Sequence, residues 1–231
     1  MTDYSKKEWE DYFNKKVELF GDSPKANAYF NRISWRNNYK ILDLIDIKDK
    51  VRILDVGCGS GLFVSHLINK NIIYGLDISF KMVKLAKMKG IYALKADVES
   101  IPFRSNFFDV VLCHGIIQYL NNLDKIITEL SRVTQCGGQV IISFLNRESL
   151  IRFISGNLLK FIPRQEEMRP KAYSVRELFE ICQVKNLIVK TCLILYNPLP
   201  FYSTSRNINW LYRFGGTTIV FFCQKTKDSS T

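Results

Sequence analysis

Apolar positions along this chain follow two rhythms. Between residues 5 and 46 they recur at helical spacing: Trp9, Phe13, Val17 and Phe20 share one face, and Tyr29, Ile33, Ile41 and Leu44 continue at roughly 3.6-residue intervals. Gly21-Asp22-Ser23-Pro24 interrupts the pattern, so two helices are predicted, with Pro24 suited to a first helical position. From Val51 the texture changes to short apolar runs alternating with amphipathic stretches. The runs Arg52–Val56, Ile72–Leu76, Tyr92–Lys95, Phe108–Cys113 and Gln139–Phe144 read as strands, and Gly61–Asn71, Ser79–Lys89 and Asn122–Thr134 as helices. Ser79 can cap its helix and Gly90 can close it, while Gly137-Gly138 separates the last helix from the fifth strand. Strands alternating with helices imply right-handed crossovers and a parallel sheet.

After Phe144 the pattern loosens. Residues 145–173 form an amphipathic stretch, Ser174-Val175-Arg176-Glu177 reads as a capping box before a further helix, and Leu187–Tyr196 and Thr217–Lys225 read as final strands. Residues 197–216 between them hold Pro198, Pro200, Phe201, Tyr202, Trp210 and Tyr212. The expected architecture is α/β, a Rossmann-like doubly wound sheet of seven strands, mostly parallel with an antiparallel last strand. N-terminal helices at 1–48 cover the site, and the main domain at 49–231 carries lid-like insertions at 145–173 and 197–216.

The chemistry concentrates where the first strand ends, at Ile53-Leu54-Asp55-Val56-Gly57-Cys58-Gly59-Ser60-Gly61. Glycines let the backbone approach a ligand closely, and the carboxyl ends of parallel strands are where such sheets bind cofactors. The dinucleotide fingerprint G-x-G-x-x-G wants a glycine at position 62, which is Leu62. An acid at Asp55 suits a cationic ligand better than a pyrophosphate. Asp77, ending the second strand, is placed to accept from ribose hydroxyls. Asp97, after the third, is placed to accept from an adenine amino group, with Val98 packing on the ring.

These segments resemble the class I, Rossmann-like S-adenosylmethionine methyltransferases of the small-molecule-modifying group. The resemblance covers roughly residues 30–225 and rests on Leu54–Gly61, Gly75-Leu76-Asp77-Ile78-Ser79, Ala96–Phe103 and Phe107–Val111. It implies that S-adenosylmethionine lies along Gly57, Cys58, Gly59, Asp77, Ile78, Asp97 and Val98, with Cys113 and His114 beside its methionine end. It also implies that the segment holding Tyr29, Trp35, Arg36 and Tyr39 folds over the cofactor, Arg36 pairing with the methionine carboxylate. His114 is the candidate catalytic base or substrate orienter, with Gln118 and Tyr119 on the next turn as further orienters; His66 is expected to be structural.

Composition narrows the substrate. The net charge of +11 admits RNA, protein or anionic lipid as partners. The position after the fourth strand reads Cys113-His114-Gly115-Ile116, not the Asn-Pro-Pro-Tyr-type motif of base- and amine-methylating enzymes. The apolar content of residues 145–173 and 197–216 points to a small hydrophobic or aromatic metabolite, with an RNA or protein methyltransferase, or a non-catalytic module of the same fold, as alternatives. Arg147, Arg152, Lys160, Arg164, Arg169 and Lys171 would suit contact with an anionic membrane surface. The polar, charged stretch Met1–Glu10 has no apolar run and is not expected to be a secretory signal. The six scattered cysteines read as thiols in a reducing cytoplasm, without metal spacing.

Overall fold

The computed structural model describes residues 4–27, 40–45, 47–150, 170–196, 202–206 and 216–227. Its framework is a sheet in the order β3-β2-β1-β4-β5-β8-β6-β7. The strands are β1 (Arg52–Val56), β2 (Ile72–Asp77), β3 (Tyr92–Lys95), β4 (Phe108–Cys113), β5 (Thr134–Leu145), β6 (Leu187–Leu195), β7 (Tyr202–Ser205) and β8 (Thr218–Lys225). The first five pair in parallel. β8 inserts between β5 and β6, antiparallel to both.

The helices are α1 (Lys6–Phe20), α2 (Phe80–Met88), α3 (Leu123–Val133) and α4 (Val175–Val184). The central strands are buried on both faces, which explains their near-continuous apolar runs. Leu54, Val111, Val140 and Ile142 join the core shared with α3 and α4. Ile53, Val110, Leu112 and Ile141 join the opposite core, with Ile41, Leu42, Phe63 and Val83. On α3 the residues Leu123, Ile126, Ile127, Leu130 and Val133 are buried along one stripe. Each such aliphatic side chain contributes about 1.5–3 kcal/mol by leaving water.

Several expectations are corrected. Among the described residues the sheet has eight strands, because Tyr202–Ser205, inside an expected lid insertion, pairs antiparallel with Cys192–Leu195 at the sheet edge. Its Tyr-Ser-Thr-Ser sequence has no buried face and so no alternating apolar signature. Gly61–Asn71 does not form a full α-helix: a single 3₁₀ turn spans Ser65–Leu67. There the hydroxyl of Ser65 donates to the carbonyl of Leu62 at 3.1 Å, a local bond that competes with helical pairing. Gly137-Gly138 lies inside β5, where the register with β4 shifts between Phe108 and Val110. Ser174 makes no side-chain cap; the carboxylate of Glu148 instead accepts from the backbone N–H of Val175 at 3.3 Å. Ser79 does cap its helix, accepting from the N–H of Met82 at 3.2 Å, and Gly90 takes φ 87° just beyond it.

Candidate active site

Beyond β1 the chain moves outward through β2 and β3, then returns to lay β4 on the other side of β1. The carboxyl ends of β1 and β4 therefore flank the topological switch point, where this architecture opens a crevice. Gly57, Gly59 and Gly61 leave β1 with φ of 71°, 52° and 78°, backbone that side chains rarely adopt. Space is short as well: a Cβ on Gly57 would lie 2.1 Å from Cγ2 of Ile116, and one on Gly59 2.0 Å from Oδ1 of Asn27. The N–H groups of Gly57 and Cys58 both donate to the carbonyl of Leu76, at 2.7 and 2.9 Å, tying the turn to β2.

Asp77 is clamped by the backbone. Its Oδ2 accepts from the N–H of Gly59 at 2.9 Å and its Oδ1 from that of Ser79 at 2.8 Å. Burial raises its pKa to about 6, against the opposing pull of those N–H donors. Each oxygen keeps a lone pair for a further donor such as a ribose hydroxyl. Ile78 follows, half-buried. Asp55 is 3% exposed, and its Oδ2 has no hydrogen-bond partner. Burial, with the nearby charge of Asp77 second, raises its pKa to about 8. Cys58 and Cys113 are buried thiols whose pKa values burial pushes up, so neither is a nucleophile.

Asp97 and Val98 follow β3. Oδ1 of Asp97 accepts from the N–H of Glu99 at 3.0 Å, and its Oδ2 pairs with Lys6 of α1. Val98 is 8% exposed and belongs to the core. His114 follows β4 with its ring against Phe63, centroids 4.7 Å apart. Its Nδ1 lies 2.7 Å from Oγ of Ser143, which also accepts from the N–H of Gly115 at 2.8 Å. Burial lowers the pKa of His114 to about 4, so the imidazole is neutral at physiological pH. The amide of Gln118 donates to the carbonyl of Gly115 at 2.7 Å, while its buried Oε1 has no partner. Arg36, Tyr29, Trp35 and Tyr39 lie outside the described residues, as do 151–169 and most of 197–216.

Several contributors were missed by sequence reasoning. Asn27 grips the glycine turn, donating to Oγ of Ser60 and accepting from the N–H of Ser60, both at 2.9 Å. Asn14 of α1 accepts from the hydroxyl of Ser79 at 2.8 Å. Trp9 packs on Tyr119, centroids 4.7 Å apart. Together with the pairing of Lys6, these contacts lay α1 across the carboxyl ends of β2, β3 and β4. Ser143 alone carried a signal, as the single polar residue in the buried run Val140–Phe144; the others depend on contacts distant in sequence.

The strand end thus offers a glycine turn too tight for a Cβ, an acid clamped by backbone N–H groups and a buried acid with one unpartnered oxygen, a set of groups that fits an S-adenosyl nucleoside. Comparison with known proteins agrees. Residues 54–142 match the methyltransferase domain family. The chain is 30% identical over 186 residues to the malonyl-[acyl-carrier protein] O-methyltransferase of Buchnera aphidicola subsp. Baizongia pistaciae, covering 79% of this chain and 74% of that protein. It is 36% identical over 102 residues to an uncharacterized protein of Methanocaldococcus jannaschii, covering 44% of this chain but only about half, 48%, of that relative's length. In fold it is similar to the magnesium protoporphyrin IX methyltransferase of Synechocystis PCC 6803, solved with bound SAH. The TM-score is 0.69 at 16% identity, over 96% of this chain and 100% of that one. The chain belongs to the class I S-adenosylmethionine-dependent methyltransferases.

Proposed function

We propose that this protein transfers the methyl group of S-adenosylmethionine to a small, hydrophobic or aromatic metabolite. The observation that carries the reading is the glycine turn at the switch point, with Asp77 locked onto Gly59 and Ser79. Bound there, the cofactor supplies an already activated methyl on a sulfonium, so the protein's task is alignment and exclusion of water. Gly57, Cys58 and Gly59 cradle the nucleoside, Asp77 and Ile78 hold its ribose side, and Asp97 and Val98 its adenine. Cys113 lines the methionine end by its backbone, and Arg36 is assigned to the methionine carboxylate.

His114 acts as an orienter of the acceptor more than as a strong base. An imidazole whose conjugate acid has a pKa of about 4 has little driving force to take a proton from a neutral hydroxyl. The acceptor best served is an oxygen already anionic at neutral pH, a carboxylate or an acidic phenol. The unpartnered Oε1 of Gln118 supports it as a second hydrogen-bonding contact to the acceptor. The end of the 145–173 segment returns beside it, with the N–H of Lys171 donating to the carbonyl of Gln118 at 2.8 Å. This supports that segment as the substrate-side cover. The similarity to an enzyme named for a malonyl group on acyl-carrier protein and to one named for a porphyrin supports a small acyl or ring acceptor over RNA or a protein side chain. No described helix is long and apolar enough to cross a membrane, and the six reduced cysteines suit a reducing cytoplasm.

The test is incubation with cofactor tritiated at the methyl group, counting label in small-molecule, protein and RNA fractions of a cell extract. Label should enter the small-molecule fraction. Label in RNA or protein would overturn the substrate class, and failure to bind cofactor at millimolar concentration would overturn the enzyme reading.

A further inference from the structure

His114 and Ser143 meet across two parallel strands. β4 and β5 pair with Cys113 beside Ile142, so His114 and Ser143, one residue further along, fall abreast. Nδ1 of His114 lies 2.7 Å from Oγ of Ser143. The same oxygen accepts from the N–H of Gly115 at 2.8 Å, aimed back at β5 by the positive φ of 74° at that glycine. Ser143 is 1% exposed, and among the described residues its hydroxyl makes these two contacts and no others. A hydroxyl has one hydrogen to donate and two lone pairs. Gly115 can only donate, so Nδ1 is the acceptor left for the hydroxyl hydrogen. With the ring proton on Nδ1 instead, both neighbours would donate to Oγ and a buried O–H would lose its acceptor. That loss disfavours the Nδ1–H form by roughly 5- to 150-fold. Burial keeps the ring neutral at physiological pH, and in a neutral ring the hydrogen bond at one nitrogen decides where the proton sits.

We propose that Ser143 is a positioning residue that holds His114 in the Nε2–H tautomer, making it a hydrogen-bond donor to the methyl acceptor and excluding it as a base. This deepens the proposed methyl transfer and rests on it. A base needs a lone pair within reach of the proton it takes. In this tautomer Nε2 has none to offer, and the lone pair of Nδ1 is engaged by Ser143. The acceptor therefore arrives already ionised, as a carboxylate or an acidic phenolate, and no proton passes to His114. The N–H of Nε2 orients that oxygen through a charge-assisted hydrogen bond. An acceptor that offers only a donor, such as a protonated amine, finds no lone pair on this ring.

The chain has 2 histidines, His66 and His114, so the tautomer can be read directly. Two-bond proton–nitrogen correlation spectra of the rings are recorded on the full cofactor-free chain near neutral pH, with His66→Gln assigning the signals. Wild type is expected to show an unprotonated Nδ1 and a protonated Nε2 on His114. A protonated Nδ1, in a neutral ring or an imidazolium, overturns the proposal. In Ser143→Ala the two nitrogen shifts are expected to move toward each other as tautomers mix, and Ser143→Thr, which keeps the hydroxyl, is expected to restore them. A pure Nε2–H form in Ser143→Ala overturns the role of Ser143. Should Ser143→Ala not fold, Ser143→Cys takes its place, a thiol being the weaker donor, and the same outcomes decide. With methyl-labelled cofactor, Ser143→Ala is expected to lose several-fold in kcat at unchanged cofactor KM; an unchanged kcat overturns the donor role. Absence of cofactor binding by wild type removes the methyl-transfer reading and the donor role with it. The tautomer, read without cofactor, still shows whether Ser143 sets it.

Discussion

At the scale of single residues, the site depends on places where a side chain is forbidden and on acids held in place by the backbone or left with an unpartnered oxygen. Gly57→Ala places a Cβ 2.1 Å from Ile116 at φ 71°. It should destabilise the chain by about 1–3 kcal/mol through backbone strain alone. The double variant with Ile116→Ala should recover only the part due to the clash, which thermal denaturation of the two proteins would separate. Asp77→Ala removes an acceptor for two backbone N–H groups and, in our assignment, for the ribose. Cofactor affinity should fall by about 1–3 kcal/mol, roughly 5- to 150-fold, in equilibrium binding; wild-type affinity would refute the ribose assignment. Ser143→Ala deprives His114 of its Nδ1 contact and Gly115 of an acceptor. Turnover should drop several-fold with cofactor affinity little changed. Because the pKa of His114 lies near 4, the turnover profile should show no inflection from it between about pH 5.5 and 7.5.

Elements bring these residues into reach. The glycine turn runs into a short 3₁₀ segment because Gly57, Gly59 and Gly61 take positive φ and Ser65 bonds back to Leu62. The turn is then braced from outside the strand by Asn27. Helix α1 begins with a reciprocal capping box between Ser5 and Glu8. It docks through Trp9, 6% exposed, set against Tyr4, Tyr12, Phe13 and Tyr119. Its charged pairs, such as Glu10 with Lys95, are partly exposed and add little. Trp9→Ala should therefore release α1, at a cost of up to about 3–5 kcal/mol if the site cannot collapse. Limited proteolysis should cut first within residues 4–27 while the sheet stays resistant, and cofactor affinity should fall in parallel. Uniform proteolytic resistance would show that the salt bridges, not the aromatic cluster, hold the helix.

For the whole molecule, the buried ionisable groups set a pH dependence whose sign can be worked out. Asp55 has an unfolded pKa near 3.9 and a folded value of about 8, so between those limits the folded protein binds one proton more and stability falls as pH rises. Asp77 acts in the same direction up to about pH 6. His114, with a folded value of about 4 against about 6.5 unfolded, opposes them, raising stability with pH across that interval. Of these three groups, Asp55 is the one that still contributes above about pH 6.5. Cofactor-free protein should thus lose stability between about pH 6.5 and 8, by at most about 1.4 kcal/mol per pH unit. Denaturant titration across that range checks it.

Much of this could be read from the amino-acid order. Alternating apolar runs placed the first five strands, α2 and α3 close to where they lie, because burial on both faces of a parallel sheet writes itself into local sequence. The glycine turn and the acids Asp55, Asp77 and Asp97 were legible too, since a strand end followed by glycine or acid is a local signature. Tertiary structure alone decided the rest. It showed that Tyr202–Ser205 adds an edge strand, because an exposed polar strand is specified by its partner's hydrogen bonds and not by its own pattern. It set His114 against Phe63 and Ser143, and Asn27 onto Ser60. Those contacts join residues 51, 29 and 33 positions apart, and nothing in a one-dimensional pattern encodes a meeting that depends on strand order. Whether each acid keeps its proton was settled the same way, by how deeply the fold buries it and by which charges it leaves nearby.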